Sequence, residues 1–179
     1  GNHMPGTTSL DGATVTNTIK DVLKEFARHG VRKVTMVNGL FENSMFIVEG
    51  VDLALRELRW EGIRDFSVVV LSYWDFVTEE TIREIYPYGF PGWAVEHGGV
   101  LETSLMLHLH PHLVDMSKAV DQEPATFPPY DFFPVKPEWT PCSGCLSSAK
   151  PATAAKGKLL FEVCVEGISR ELKVAFASV

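Results

Sequence analysis

The stretch Lys33-Val34-Thr35-Met36-Val37-Asn38-Gly39-Leu40-Phe41-Glu42-Asn43-Ser44-Met45-Phe46-Ile47-Val48-Glu49 decides how this chain folds. A short apolar run, Val34 to Val37, breaks at Asn38-Gly39. Apolar residues then resume at helical spacing through Met45, Ile47, Val48, Val51 and Leu55, the pattern of a buried strand feeding a helix. The break therefore lies at a strand's carboxyl end. In open α/β sheets ligands bind at that edge, because the loops there surround a crevice and the next helix offers free N–H donors. Glu42 stands where a carboxylate can meet a metal or a substrate, and equally where a negative charge suits the helix dipole.

Before this stretch, Val15, Ile19, Val22, Leu23 and Phe26 predict an amphipathic helix from Thr14 that Gly30 stops. The opening residues 1–12, including His3, are rich in turn formers and read as a solvated loop. After it, a helix is expected from about Phe41 to Glu61, ended by Gly62, and Phe66 to Ser72 is the clearest strand. Its unbroken β-branched run predicts burial on both faces, hence a parallel sheet with helices on either side. Strand, helix and strand within so short a span make a βαβ unit.

Tyr73-Trp74-Asp75-Phe76 follows that strand directly, so Trp74 can wall a pocket or cap the core. A short helix at Glu79 to Ile85 leads into Tyr86-Pro87-Tyr88-Gly89-Phe90-Pro91-Gly92-Trp93, too rich in Pro and Gly to be regular and suited to a lid or a pocket wall. Glu96-His97-Gly98-Gly99 comes next, ahead of a helical segment at Leu101 to Leu107. A carboxylate beside an imidazole, with two glycines after it, can carry acid/base chemistry, although the dipeptide alone is common. His108-Leu109-His110-Pro111-His112 is a poor metal comb, because residues two apart on a helix diverge and Pro111 ends the element. It reads as a solvated helix end. Between Val120 and Ser148 stand six of the eleven prolines, with aromatics around Phe127 to Phe133, a long excursion suited to an oligomer contact. A helix from about Ala152 to Ala175 closes the chain.

A chain of 179 residues with 45% hydrophobic content is long enough for one domain, residues 1–179, with a sizeable core. The formal charge of −7 and the lack of a Lys/Arg cluster argue against nucleic acid as a partner. No apolar run is long enough to span a membrane and no signal peptide opens the chain, so the expected compartment is the cytoplasm. Cys142, Cys145 and Cys164 are too few for a disulfide framework, and Cys142-Ser-Gly-Cys145 lacks the second pair that a four-thiolate zinc site needs.

Asn38-Gly39-Leu40-Phe41-Glu42-Asn43 and Glu96-His97-Gly98-Gly99-Val100-Leu101-Glu102-Thr103-Ser104 resemble the creatininase family, as do Trp74-Asp75, Gly92-Trp93, Phe127-Pro-Pro-Tyr130 and Leu146-Ser-Ser-Ala-Lys150. The resemblance runs along nearly the whole chain. It implies an α/β fold, a three-layer sandwich with a mostly parallel sheet, assembled as a homohexamer. It implies a hydrolase that opens a cyclic amide, creatinine to creatine, by water activated on a zinc or manganese pair. Carried over by motif, Glu42 is a metal ligand, Glu96 and His97 are the catalytic acid/base pair, and Phe41, Trp74 and Trp93 bind the small-molecule substrate. Two departures accompany it: Leu40 stands where the family has a ligating His, and Ala94 where it has an acidic residue. The family's further ligands come from an N-terminal segment expected to lie before Gly1. With Glu42 the one expected ligand, the resemblance implies less than full occupancy of the metal pair, down to no ion bound. Two alternatives stay open: a non-catalytic homologue acting as an oligomeric binding protein, and a metal-independent enzyme on another substrate.

Overall fold

The computed structural model describes residues 7–177, which form two compact units: residues 7–76 with 167–177, and Val77–Glu166. The reading of His3 and of the first residues of the opening loop falls outside the described residues.

The first unit is built on the βαβ unit. Helix α1 (Gly12–Arg28) leads to strand β1 (Lys33–Asn38), and a 3-10 turn (Phe41–Asn43) opens helix α2 (Ser44–Trp60). Strand β2 (Ser67–Ser72) then pairs parallel with β1, in register from Lys33 opposite Ser67 to Asn38 opposite Ser72. The apolar positions at helical spacing bury Leu23 and Ala27 of α1 against Ala54 and Leu58 of α2, with Phe66 completing the cluster. Val34, Met36 and Val68 of the sheet pack onto it. Lys24 bonds Glu57, and Arg28 Nε donates to Glu61 Oε2 at 2.9 Å, which ties the polar margins of the two helices together. Lys33 donates to the Phe176 carbonyl at 2.8 Å, which brings the end of helix α5 (Ala154–Ala177) to the strand face opposite that cluster.

One expectation is corrected here. The run at β2 is not buried on both faces: Val70 is 39% exposed and Val37 on β1 is 59% exposed. Among the described residues the sheet has two strands, so each strand lacks a neighbour on one side and part of its apolar surface stays open.

In the second unit, helix α3 (Glu79–Ile85) starts at Thr78, whose hydroxyl accepts from Thr81 N at 3.1 Å. A 3-10 turn (Trp93–Val95) precedes helix α4 (Val100–Leu109). The predicted helix end among the three histidines is observed, with α4 stopping at Leu109 and His110 and His112 exposed, but His108 is not solvated as expected: it is half-buried, its ring 5.8 Å from that of Phe161. The proline-rich excursion contains only a short 3-10 turn (Pro137–Trp139) before α5, and its Phe133 is 81% exposed. Cys142 is exposed and both CxxC thiols are free.

Candidate active site

The described turn at the β1 end is organised by Asn38, which is only 3% exposed. Its Oδ1 accepts from Leu40 N and its Nδ2 donates to Ser44 Oγ, each at 3.1 Å. An Asn side chain used in this way mimics a backbone turn and draws the next residues into a tight 3-10 geometry. The turn leaves Leu40, Phe41 and Glu42 exposed, with Phe41 at 75%. Trp74, in the 3-10 turn Tyr73–Phe76 at the end of β2, is half-buried and meets Tyr73 edge to face at 5.2 Å. Phe41, Glu42 and Trp74 thus all follow the carboxyl ends of the two parallel strands, as expected from the sequence.

Glu96, His97 and Trp93 belong to the other unit. Trp93 is 47% exposed and packs edge to face on Phe90 at 5.1 Å, which in turn packs on Tyr86 at 5.0 Å. Trp93 and Phe90 border a shallow cleft of about 280 Å³ with Val77, Glu79, Ile82 and Arg83. The half-buried Glu96 carboxylate is taken up at both ends. Oε2 accepts from the Tyr86 hydroxyl, and Oε1 accepts from Leu101 N in the first turn of α4 at 2.6 Å. Gly98, at φ +63°, donates its N–H to Glu102, and the His97 carbonyl accepts from Leu146 N at 2.9 Å. The imidazole of His97 is exposed and makes no hydrogen bond to the described residues. Sequence reasoning missed Tyr86, Asn38 and Glu102. The helix-start position of Glu102 was a usable signal; Tyr86, ten residues before its partner in an irregular loop, offered none.

Burial pushes the Glu96 carboxyl above its ordinary pKa, against the opposing pull of the Tyr86 and Leu101 hydrogen bonds. The folded state then holds the proton more readily than the unfolded chain. The associated stability is fully present below the unfolded value and is lost as pH rises through the folded one. Urea midpoints of the wild type should therefore fall relative to those of Glu96→Gln as pH is raised from about 4.3, the ordinary glutamate value. Parallel midpoints across that range would refute this.

A family model, Creatininase, described as creatinine amidohydrolase, matches residues 1–172. The chain belongs to the creatininase family. It is 63% identical over 177 residues to the creatinine amidohydrolase of Pseudomonas putida, across 98% of this chain and 68% of that protein. Among solved relatives, a manganese creatininase aligns with a TM-score of 0.95 at 63% identity, covering 98% of this chain and 69% of that one. A mutant creatininase complexed with creatine aligns with a TM-score of 0.95 at 62% identity, covering 98% and 70%. A further mutant form is of Zn-Zn type. The α/β creatininase fold expected from the sequence is thus the observed one, and zinc or manganese is the family's metal. Within this creatininase-family chain, no three His, Cys, Asp or Glu side chains converge among the described residues. With a hydrocarbon at Leu40 beside Glu42, these residues do not by themselves fit a metal pair.

Proposed function

We propose that this chain hydrolyses the ring amide of creatinine to give creatine. What supports the reading above all is the 63% identity to a creatinine amidohydrolase over nearly the whole chain, with creatine bound in a solved relative. In this reaction the oxygen of water bonds to the ring carbonyl carbon, the ring C–N bond breaks, and a proton passes from water to the departing nitrogen. His97 is the group proposed to move that proton, since an imidazole has one nitrogen that can accept a proton and one that can donate. Glu96 is proposed as its partner in the turn. Phe41, Trp74 and Trp93 are proposed to pack on the flat ring, and Glu42 to serve as the one donor to a divalent ion that this stretch supplies. The reading takes residues 1–179 as one creatininase-like domain of a cytoplasmic homohexamer. Among the described residues no helix is long and apolar enough to cross a membrane.

The test is creatine formation from creatinine with added manganese, for the wild type and Leu40→His. An imidazole beside Glu42 adds a donor that a hydrocarbon cannot, so turnover is expected to rise by about tenfold or more in the variant. Absence of creatine from both chains would overturn the reading and favour a non-catalytic homologue.

A further inference from the structure

We infer that Tyr86 is a positioning residue, whose hydroxyl holds the Glu96 carboxylate against the first turn of α4 and thereby fixes the turn that presents His97. The inference rests on the reading of His97 as the proton carrier and divides the labour of the Glu96–His97 pair: His97 moves the proton and Glu96 holds the turn.

The geometry argues this from several sides. Each oxygen of Glu96 has a donor, Tyr86 on Oε2 and Leu101 N on Oε1. A carboxylate occupied in this way is poorly placed to exchange a proton with a substrate. Space at Gly99 is also given over to this carboxylate: a Cβ there would lie 2.7 Å from Oε2 and 2.8 Å from Oε1, and 2.6 Å from the buried Ser147 Oγ. The backbone is pinned on either side, at Gly98 by Glu102 and at the His97 carbonyl by Leu146 N. The His97 ring, exposed and without a hydrogen bond to the described residues, takes its location from this turn. Burial and the nearby carboxylate push the Tyr86 pKa upward, so the phenol remains a donor at every working pH. Its ring also packs at a tilt against Phe90, the neighbour of Trp93, so one residue braces both the turn and the aromatic wall.

Tyr86→Phe keeps the ring and removes the hydrogen bond. With manganese and creatinine, kcat is expected to fall by about tenfold to a hundredfold, the scale of a small misplacement of a catalytic group, with KM within about threefold of wild type. Glu96→Gln can still accept from Leu101 N and can donate to the Tyr86 oxygen, so it should recover most of the kcat that Glu96→Ala loses. If Glu96 were itself the proton-transfer group, Gln would be as poor as Ala, with losses of about 10² to 10⁴. A second readout is independent of turnover. In the protein labelled with 13C-histidine, the His97 ring resonance should be single in the wild type and shifted or broadened in Tyr86→Phe. Should Tyr86→Phe fail to fold, Gly99→Ala, which crowds the same carboxylate, is expected to give the same signature. An unchanged kcat in a folded Tyr86→Phe, or equal losses for Glu96→Gln and Glu96→Ala, overturns the inference. If neither the wild type nor Leu40→His forms creatine, the activity reading fails by itself, and an unmoved His97 resonance in Tyr86→Phe then overturns the positioning role separately.

Discussion

Gly157→Ala is expected to destabilise the protein by at least about 3 kcal/mol, the upper end of the usual overpacking range, and to leave little soluble material. A Cβ at this position of α5 would lie 1.8 Å from the Ser104 carbonyl oxygen, 2.4 Å from the carbonyl carbon and 2.9 Å from His108 Cβ. The obstacle is the backbone of α4, which no rotamer change can move aside. Ser104 is fully buried, and its Oγ accepts from Thr153 N at 3.1 Å, so the start of α5 is tied to α4 just where the helices touch. Ordinarily Gly to Ala inside a helix gains about 0.5–1 kcal/mol by restricting the unfolded chain. Here the gain is outweighed, because relieving the overlap means shifting the α4 backbone at Ser104, which is fully buried. Urea denaturation of wild type and variant measures it. A midpoint equal to or above wild type would show that the helices can part at little cost.

The sequence legibly encodes the βαβ unit because local rules and tertiary packing agree there. The run at Val34 to Val37 becomes β1, and of the helical period Ile47 is buried and Val51 and Leu55 pack against the core, while Met45 and Val48 stay exposed. Gly30 and Gly62 end their helices at φ +90° and +87°, where a side chain would be strained. The sequence predicts a start of α2 at about Phe41, three residues before the observed Ser44, since periodicity does not register the Asn38 side chain tightening the turn first. The candidate site was legible only as motifs. Its residue types follow from resemblance, but which donors fill the Glu96 carboxylate depends on how an irregular Pro/Gly loop returns Tyr86 to the α4 N-terminus, and no period records that. The same loop-borne geometry ties His97 to Leu146 across almost fifty intervening residues.

His97→Ala is expected to lower kcat for creatinine by about 10² to 10⁴, the usual contribution of a positioned acid/base group. Stability should barely change. The side chain is exposed and bonds to none of the described residues, while the structural ties of this turn run through the His97 carbonyl, Gly98 N and Glu96, all of which alanine preserves. Surface substitutions of this kind usually shift stability by no more than about 0.5 kcal/mol. Activity and stability are thereby separated at one residue, whereas Gly157→Ala loses both together. Added imidazole should restore part of the turnover of His97→Ala, because a free base can diffuse into the space the ring has left and carry the proton in its place. It should do nothing for Tyr86→Phe, in which the ring is present and only its position has drifted. A His97→Ala protein with wild-type turnover and an unchanged unfolding midpoint would remove His97 from the reaction. Proton transfer would then have to pass through another group, and Glu96, with both oxygens already bonded, would be a poor substitute unless the Tyr86 hydroxyl first let go.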